Sequence, residues 1–419
     1  MADVPSGPVA PGPVAPGPAA PGPAAAYVAF DRFPSTKGAG VHIGQMAAEL
    51  FDHAGGGLLV ALAGPGMPLH QQEGGVRLHR VRADEPNLLD RAEGFSRTVA
   101  GLLNRHADTL RICHVRDPWG ALPALAVPGR SFPVVYEVNG LPSIELTHTR
   151  PGVTAAARER LRELETACLT VADAVVVPSR VLAATVGARG VPAARIHLVP
   201  NGADLPVLPL PRPAQAPDRY LVYVGALQAW QGGDVLLRAF ARLADLVDVH
   251  LVICSSVGRR FGRGLRRLAR RLGVDDRVHW QVAVPHAHVA AWLSHAEISV
   301  APLTACERNL DQGCSPLKIL ESLAAGVPVV ASDLPVVREL LGGGDHCGRL
   351  VPPDRPDALA RALRVLLEYP DSARELGARG RDRVASGLTW ADSRARLREV
   401  YRSLDAGTGE GSHATAGGR

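Results

Sequence analysis

The sequence predicts an α/β protein built from two doubly wound domains that face one another across a cleft. Three observations carry this. Short β-branched runs, apolar on both faces, alternate with helical stretches along the chain, the pattern of parallel sheets covered on both sides. A proline-rich break, PVLPLPRPAQAPD from Pro206 to Asp218, divides that pattern in two. Glycine- and proline-punctuated loops follow the strand ends, where the ligand crevice of such sheets lies.

In chain order, residues 1–26 repeat five-residue units of the PGPVA and PGPAA type, which lack core-forming side chains and predict a disordered tail. The first domain, 27–205, reads as strands at Tyr27–Phe30, Leu58–Ala63, Arg111–Val115, Pro133–Val138, Ala174–Pro178 and Ile196–Pro200. Residues 206–218 are the linker. The second domain, 219–388, offers Tyr220–Gly225, Val249–Cys254, Arg277–Trp280, Ile298–Pro302, Val327–Ser332 and Gly348–Pro352. A helix over 389–406 is expected to cross back to the first domain, and 407–419, rich in Gly, Ser and Thr, to be a disordered tail.

A chain of 419 residues, 46% hydrophobic, has material for two cores. No apolar run approaches the roughly 20 residues of a membrane span, and the first basic residue is Arg32, so no cationic leader is recognisable. A cytoplasmic location is expected. The six cysteines are scattered without a CxxC pair or zinc spacing, and read as reduced thiols; no metal or cofactor is expected. A net charge of +5 is modest; it suits an anionic small substrate, and no nucleic-acid partner is expected. The oligomeric state is not readable.

Of 46 lysines and arginines only two are lysine, Lys37 and Lys318, and both lie in loops that follow a strand and open a helix, where free N–H groups and the helix dipole attract anions. In PSTKGAGVH, Lys37, Gly38 and Gly40 read either as a place where a diphosphate approaches the backbone or as a tight turn. In EVNGLPSIEL, Asn139 and Glu145 offer partners for acceptor hydroxyls, with a plain turn and helix cap as the competing reading. VPNGAD, with Asn201 and Asp204, closes the first domain. The most specific stretch is GCSPLKILESLAAGVPVVASD: Ser315 is a natural N-cap, Pro316 fits a first helical turn, Lys318 lies alongside and Glu321 follows one turn later. RRFGRGLRRLARR, Arg259 to Arg271, reads as a solvated helix face, with contact to a membrane surface or another anion as the alternative.

PSTKGAGVH, HVRDPW, YEVNGLPSIEL, VPNGAD, YVGALQAWQGGDVLL and SPLKILESLAAGVPVVASD, in this order over about Tyr27 to Ala406, resemble the retaining, nucleotide-sugar-dependent glycosyltransferases of the large bacterial family 4 (group 1) type. The resemblance implies the GT-B fold, two Rossmann-like domains around an interdomain cleft. It places the donor against Lys37, Gly38, Gly40, Gln231, Gly313, Cys314, Ser315, Pro316, Leu317 and Glu321, with Glu321 on the ribose hydroxyls. Lys318, Asn139 and Glu145 become the candidate catalytic residues.

Three positions depart from the family pattern. Gly313 stands where many relatives carry a sugar-binding Glu, leaving backbone, Asp311 or Gln312 to make polar contacts. Ala226 and Gln231 stand where relatives carry a basic pair, so Lys318, Lys37 and Arg259 or Arg260 are the candidate substitutes. Asn139 stands where a His often lies.

The activity implied is transfer of a glucose- or N-acetylglucosamine-type hexose from a UDP-sugar, with mannose from a guanine nucleotide as runner-up. Asp117, Asn139, Glu145 and His148 form a polar, partly acidic set suited to a small hydroxylated acceptor, and the composition resembles natural-product pathway enzymes that act on an aminocyclitol such as 2-deoxystreptamine. The alternatives are an enzyme of cell-envelope or exopolysaccharide synthesis, and a nucleotide-sugar-binding protein without transferase activity.

Overall fold

The structure, a computed structural model, describes residues 22–150, 152–255, 262–342 and 346–410. The first domain contains β1 (Ala25–Arg32), β2 (Gly57–Leu62), β3 (His70–Glu73), β4 (Val76–Val81), β5 (Ile112–Val115), β6 (Val134–Glu137), β7 (Ala174–Val177) and β8 (Ile196–Leu198). They form one sheet in the order β3-β4-β2-β1-β5-β6-β7-β8, parallel except for the β3–β4 hairpin. Its helices are α1 (Gly38–Ala54), α2 (Leu88–Arg105), α3 (Pro118–Leu125), α4 (Pro142–Thr149), α5 (Ala155–Val171) and α6 (Arg180–Ala188).

The second domain contains β9 (Arg219–Val224), β10 (Val249–Ser255), β11 (Val278–Val282), β12 (Ile298–Ala301), β13 (Val329–Ser332) and β14 (Arg349–Val351), an all-parallel sheet ordered β11-β10-β9-β12-β13-β14. Its helices are α7 (Gly233–Phe240), α8 (Arg263–Arg271), α9 (His286–Ser294), α10 (Leu317–Ala324), α11 (Pro335–Leu341), α12 (Pro356–Glu368) and α13 (Pro370–Ala385). In both sheets the chain reverses its direction of strand addition beside the first strand. That is the switch point at which a crevice opens.

The central strands of each sheet are buried on both faces, which is why they read as continuous apolar runs. In the first domain Phe95 and Leu103 of α2 join one core, while Ile43 and Leu50 of α1 join the other. In the second, Phe240, Leu268 and Leu363 pack on one face, and Ile319, Leu323 and Leu340 on the other.

After α13 the chain forms α14 (Trp390–Glu410), whose Leu397 and Tyr401 pack into the first domain against α1. Buried Glu49 of α1 accepts from Arg394 Nε at 3.2 Å and Arg398 Nε at 2.6 Å. Residues 206–218 carry neither helix nor strand.

The structure corrects the start of the fold. The tail was expected to run through residue 26, but Ala25 and Ala26 are fully buried in β1, paired with Ile112 and Leu58. Alanine looks featureless in the repeat, yet Ala25 and Ala26 each join one of the two cores that cover the sheet. The β3–β4 hairpin was not foreseen, because HQQE and VRLHRV are polar and occupy the sheet edge.

Arg259, Arg260 and Phe261 lie outside the described residues. In the rest of that basic segment, Leu268 and Ala269 face the core and the Arg266 guanidinium lies 4.5 Å from the Trp280 ring centre. Among the described residues no helix is long and apolar enough to cross a membrane, and no group of three or more His, Cys, Asp or Glu is arranged to hold a metal. All six cysteines are unpaired.

Candidate active site

The C-terminal ends of the two sheets open onto one cleft of about 370 Å³. The first domain contributes Lys37 and Gly38, at the start of α1, with His42, Arg116, Asn139 and Asn201. The second contributes Gly225, Gln231, Cys254, His286 and Arg308, and the segment Cys314 to Lys318 with Glu321.

Lys37 takes the N-cap position of α1 in extended conformation and is exposed to the cleft. A Cβ on Gly38 would lie 3.0 Å from Leu317 Cδ1, so the missing side chain lets the start of α1 approach the start of α10. Gly40 was paired with Gly38 as a diphosphate contact, and this is corrected: it faces the Ser35 loop, where a Cβ would meet the Ser35 carbonyl oxygen, and it does not line the cleft.

The α10 start is also corrected. The helix begins at Leu317 with Pro316 at the N-cap position, and Ser315 makes no capping bond. Instead Ser315 Oγ accepts from the Asn201 backbone N–H at 3.1 Å, while the Asn201 side-chain amide donates to the Ser315 carbonyl at 2.6 Å. Both partners are buried, so this two-point tie joins the domains beside the helix start. The leading N–H groups of α10 have no intrahelical acceptor and form an anion-attracting end. Gly313 does not line the cleft; at φ 71° it closes a turn in which a Cβ would lie 2.9 Å from Ser179 Oγ and Val181 Cβ.

Lys318 Nζ donates to Gln231 Oε1 at 2.6 Å and to Tyr223 OH at 3.0 Å, and lies 4.1 Å from the Tyr223 ring centre. Gly225, at φ 133°, makes room for it, since a Cβ there would lie 3.1 Å from Lys318 Nζ. Burial of the ammonium pulls Lys318 down to about 7, and the Arg308 charge adds to this, against opposing contributions from Cys314 and Glu321. Glu321 Oε1 lies 2.7 Å from His286 Nε2, a hydrogen bond that raises the His286 pKa.

Behind Asn139 lies a charged hub that sequence reading missed. Glu137, 2% exposed, has His42 Nε2 at 2.5 Å, His114 Nε2 at 2.9 Å, Arg116 Nε at 3.2 Å and Tyr27 OH at 2.9 Å, and it accepts from the Asn139 amide. Burial pushes its carboxyl up, but His42, Arg116 and the two histidine hydrogen bonds outweigh this and hold it well below the usual carboxylate range. His42 Nδ1 reaches Asn201 Oδ1 at 2.6 Å, and His114 Nδ1 reaches Tyr401 OH of α14 at 2.7 Å. The hub thus connects the interdomain tie to the returning helix. Its members come from four separate strand ends and helices, so no local pattern marks it.

Glu145 is not in this cleft. It lines a second cavity of about 260 Å³ with Phe30, Asp31, Asp117 and Trp119, and Arg116 borders both. Glu145 Oε1 accepts from Gln312 Nε2 at 3.0 Å, and Gln312 Oε1 accepts from the Leu141 N–H, so Gln312 crosses between the domains. Asp117 caps α3 through Gly120 N–H and also accepts from Phe30 N–H; burial raises it to about 6 despite those bonds. His148 packs edge-on to Trp230 at 5.8 Å.

Residues 37–202 match the glycosyl transferase 4-like domain, and residues 218–369 match the group 1 glycosyl transferases. The chain is 28% identical to D-inositol 3-phosphate glycosyltransferase 1 of Catenulispora acidiphila over 80% of its own length and 83% of the relative's. It is 32% identical to the MMP alpha-(1->4)-mannosyltransferase of Mycolicibacterium hassiacum over 51% of the chain and 49% of that protein, so this second match spans about half the length of the curated relative. Among solved structures, sucrose-phosphate synthase of Thermosynechococcus elongatus superposes with a TM-score of 0.74 at 22% identity, covering 91% of this chain and 99% of that one. Anabaena HepE in complex with UDP-glucose superposes with a TM-score of 0.67 at 14% identity, over 91% and 99%. These structural likenesses concern the fold.

Proposed function

We propose, from the glycosyl transferase 4-like and group 1 models that its two halves match and from its GT-B fold, that this chain is a nucleotide-sugar-dependent glycosyltransferase that moves a hexose from a UDP-sugar, with retention, to a hydroxyl of a small soluble acceptor. One observation carries the donor half. Lys37, Arg116, Arg308 and Lys318 line the cleft beside the α10 N-terminus, against a single lining carboxylate, Glu321. Such a surplus of cations at a helix start suits a diphosphate, and Glu321 suits ribose hydroxyls. The UDP in the HepE complex supports uridine as the base.

In the reaction so proposed, the bond from the anomeric carbon to the diphosphate oxygen breaks while Lys318 and the α10 N–H groups hold the leaving charge. The acceptor oxygen bonds to that carbon on the same face, and its proton passes to the departing diphosphate. Asn139, fixed by Glu137, supplies an amide toward the sugar.

The acceptor half rests on the second cavity. Its carboxylates Asp31, Asp117 and Glu145 and the aromatic rings of Phe30 and Trp119 suit a polyol that carries amines, an aminocyclitol of the 2-deoxystreptamine kind. The name of the Catenulispora relative favours a second reading, an inositol phosphate acceptor. Incubation of the full chain with UDP-glucose or UDP-N-acetylglucosamine and aminocyclitols, free sugars, inositol phosphates and polyprenyl-linked acceptors, read by mass spectrometry, decides between them. Transfer confined to phosphorylated or lipid-linked acceptors would sink the aminocyclitol reading.

A further inference from the structure

Arg308 opens a single π-helical turn, Arg308–Gln312, that bridges β12 toward α10. Four contacts fix it. Asn309 anchors the turn by donating to the Trp230 and Thr304 carbonyls at 3.0 and 2.8 Å, and Arg308 Nη1 donates to Asn309 Oδ1 at 3.3 Å. The guanidinium carbon lies 5.6 Å from the Trp230 ring centre. The side chain is 14% exposed, and that exposed part lines the donor cleft with Cys314, Ser315 and Lys318.

A guanidinium this deep is costly unless its N–H groups find acceptors. Its carboxylate neighbour, Glu145 Oε1, is 3.5 Å from Nε, well beyond the 2.7–2.9 Å typical of a charge-assisted hydrogen bond. That oxygen already accepts from Gln312, and Arg308 Nε has no hydrogen-bond partner. Within the cleft itself the carboxylate is Glu321, which His286 holds. The Cys314 thiol also meets the guanidinium, but sulfur is a weak acceptor, so the protein holds a buried, incompletely paired fork of donors at the cleft, with a second cation, Lys318, lining the same space. An anion with several oxygens satisfies both, and the planar fork suits phosphate oxygens.

We propose that Arg308 and Lys318 form a two-cation clamp that takes the donor's diphosphate between them, Arg308 from the side of the acceptor cavity and Lys318 from the first turn of α10. The clamp rests on the nucleotide-sugar reading above. It locates the leaving-group charge stabilisation at a residue that no loop motif marks, and Ala226 and Gln231 need supply none.

Isothermal titration of the full chain with UDP and uridine, and with GDP and guanosine, tests it. Arg308→Gln is expected to weaken the bound diphosphate about ten-fold and leave its nucleoside within about two-fold, since the lost contact is to phosphate. Arg308→Lys, which keeps the charge and loses the fork, should fall between, and it decides the matter if the Gln variant does not fold. Unchanged diphosphate affinity, or equal loss for diphosphate and nucleoside, overturns the clamp while leaving the donor reading intact. Failure of the unmodified protein to bind either nucleoside diphosphate overturns that reading and the clamp with it.

Discussion

Lys318 Nζ donates to Gln231 Oε1 across 2.6 Å, so one of the chain's two lysines is held by a neutral amide rather than a carboxylate. Tyr223 OH donates to the Ala226 carbonyl, which leaves its oxygen to accept from Lys318, and both acceptors are uncharged. An ammonium in that setting loses hydration without gaining a counter-charge, the physical reason it titrates near neutrality.

UDP binding should therefore depend on pH through Lys318. Free, the group titrates at about 7; a diphosphate beside it favours the charged form and raises that value, so binding takes up a proton. By linkage the affinity is full below about 7 and falls as pH rises through it, by up to about ten-fold per unit. The groups facing Lys318 are Tyr223, Cys314, Arg308 and Glu321. Calorimetric UDP affinities between about pH 7 and 9, where a phosphate's second ionisation (pKa about 6) is complete, check this. Lys318→Met should bind UDP more weakly at pH 7 and with a flat profile; the same slope in both proteins would remove Lys318 from the diphosphate site.

Glu321 should act on the other end of the donor. Its Oε1 is held by His286 in an orientation facing the cleft, one turn beyond Lys318. Glu321→Ala is expected to weaken uridine and UDP alike by about ten-fold, the worth of hydrogen bonds to a charged acceptor. Loss for UDP with uridine unchanged would move the ribose elsewhere in the cleft.

How much of this was legible follows from how local each signal is. The central sheet strands were readable because burial on both faces makes each a short apolar run, whereas the β3–β4 edge hairpin carries polar residues and left no such trace. The α10 loop was readable because Lys318 and Glu321 sit within one helical turn of one another. Arg308 was not, because its burial depends on Trp230 and Glu145, far away in sequence. The Glu137 hub draws on positions 27, 42, 114, 116 and 139, and Gly225 is needed only because Lys318 lies over it. Convergence of distant residues is a property of the topology, which alternation and loop chemistry do not specify in side-chain detail.

Deleting residues 1–26 should lower the melting temperature by roughly 5 °C or more. The cut removes Ala25 and Ala26 from the centre of an eight-stranded sheet, and with them the Ala24 carbonyl that accepts from Arg111 N–H at 2.8 Å. Each lost ladder bond is worth about 1 kcal/mol and leaves a buried partner unsatisfied. Differential scanning calorimetry of the truncated and full chains measures it; coincident transitions would mean that β1 does not need these residues.

Replacing Glu137 should be the most damaging change outside the cleft, because one carboxylate neutralises or accepts from five side chains. Glu137→Ala takes from Arg116, 9% exposed beside His42 and His114, its ion-pair partner and leaves it only the charges of Asp31 and Asp117, neither within ion-pair distance; breaking a buried pair in this way typically costs about 3–5 kcal/mol. Glu137→Gln keeps the shape and one acceptor oxygen, so it should lose less, with the difference reporting charge rather than volume. The sign with pH follows from the depressed carboxyl: its folded value lies below the unfolded one, so its contribution is fully present above about pH 4.3 and is lost as pH falls through the folded value. The gap in denaturant midpoint between the wild type and Glu137→Gln is therefore expected to be present from about pH 5 to 8 and to narrow in stronger acid. Because His42 is hydrogen-bonded to both Glu137 and Asn201, and Asn201 to Ser315, the Gln variant should also bind UDP more weakly while still folded. A variant that unfolds at the wild-type midpoint across that range would show that the hub is not what fixes the interdomain tie.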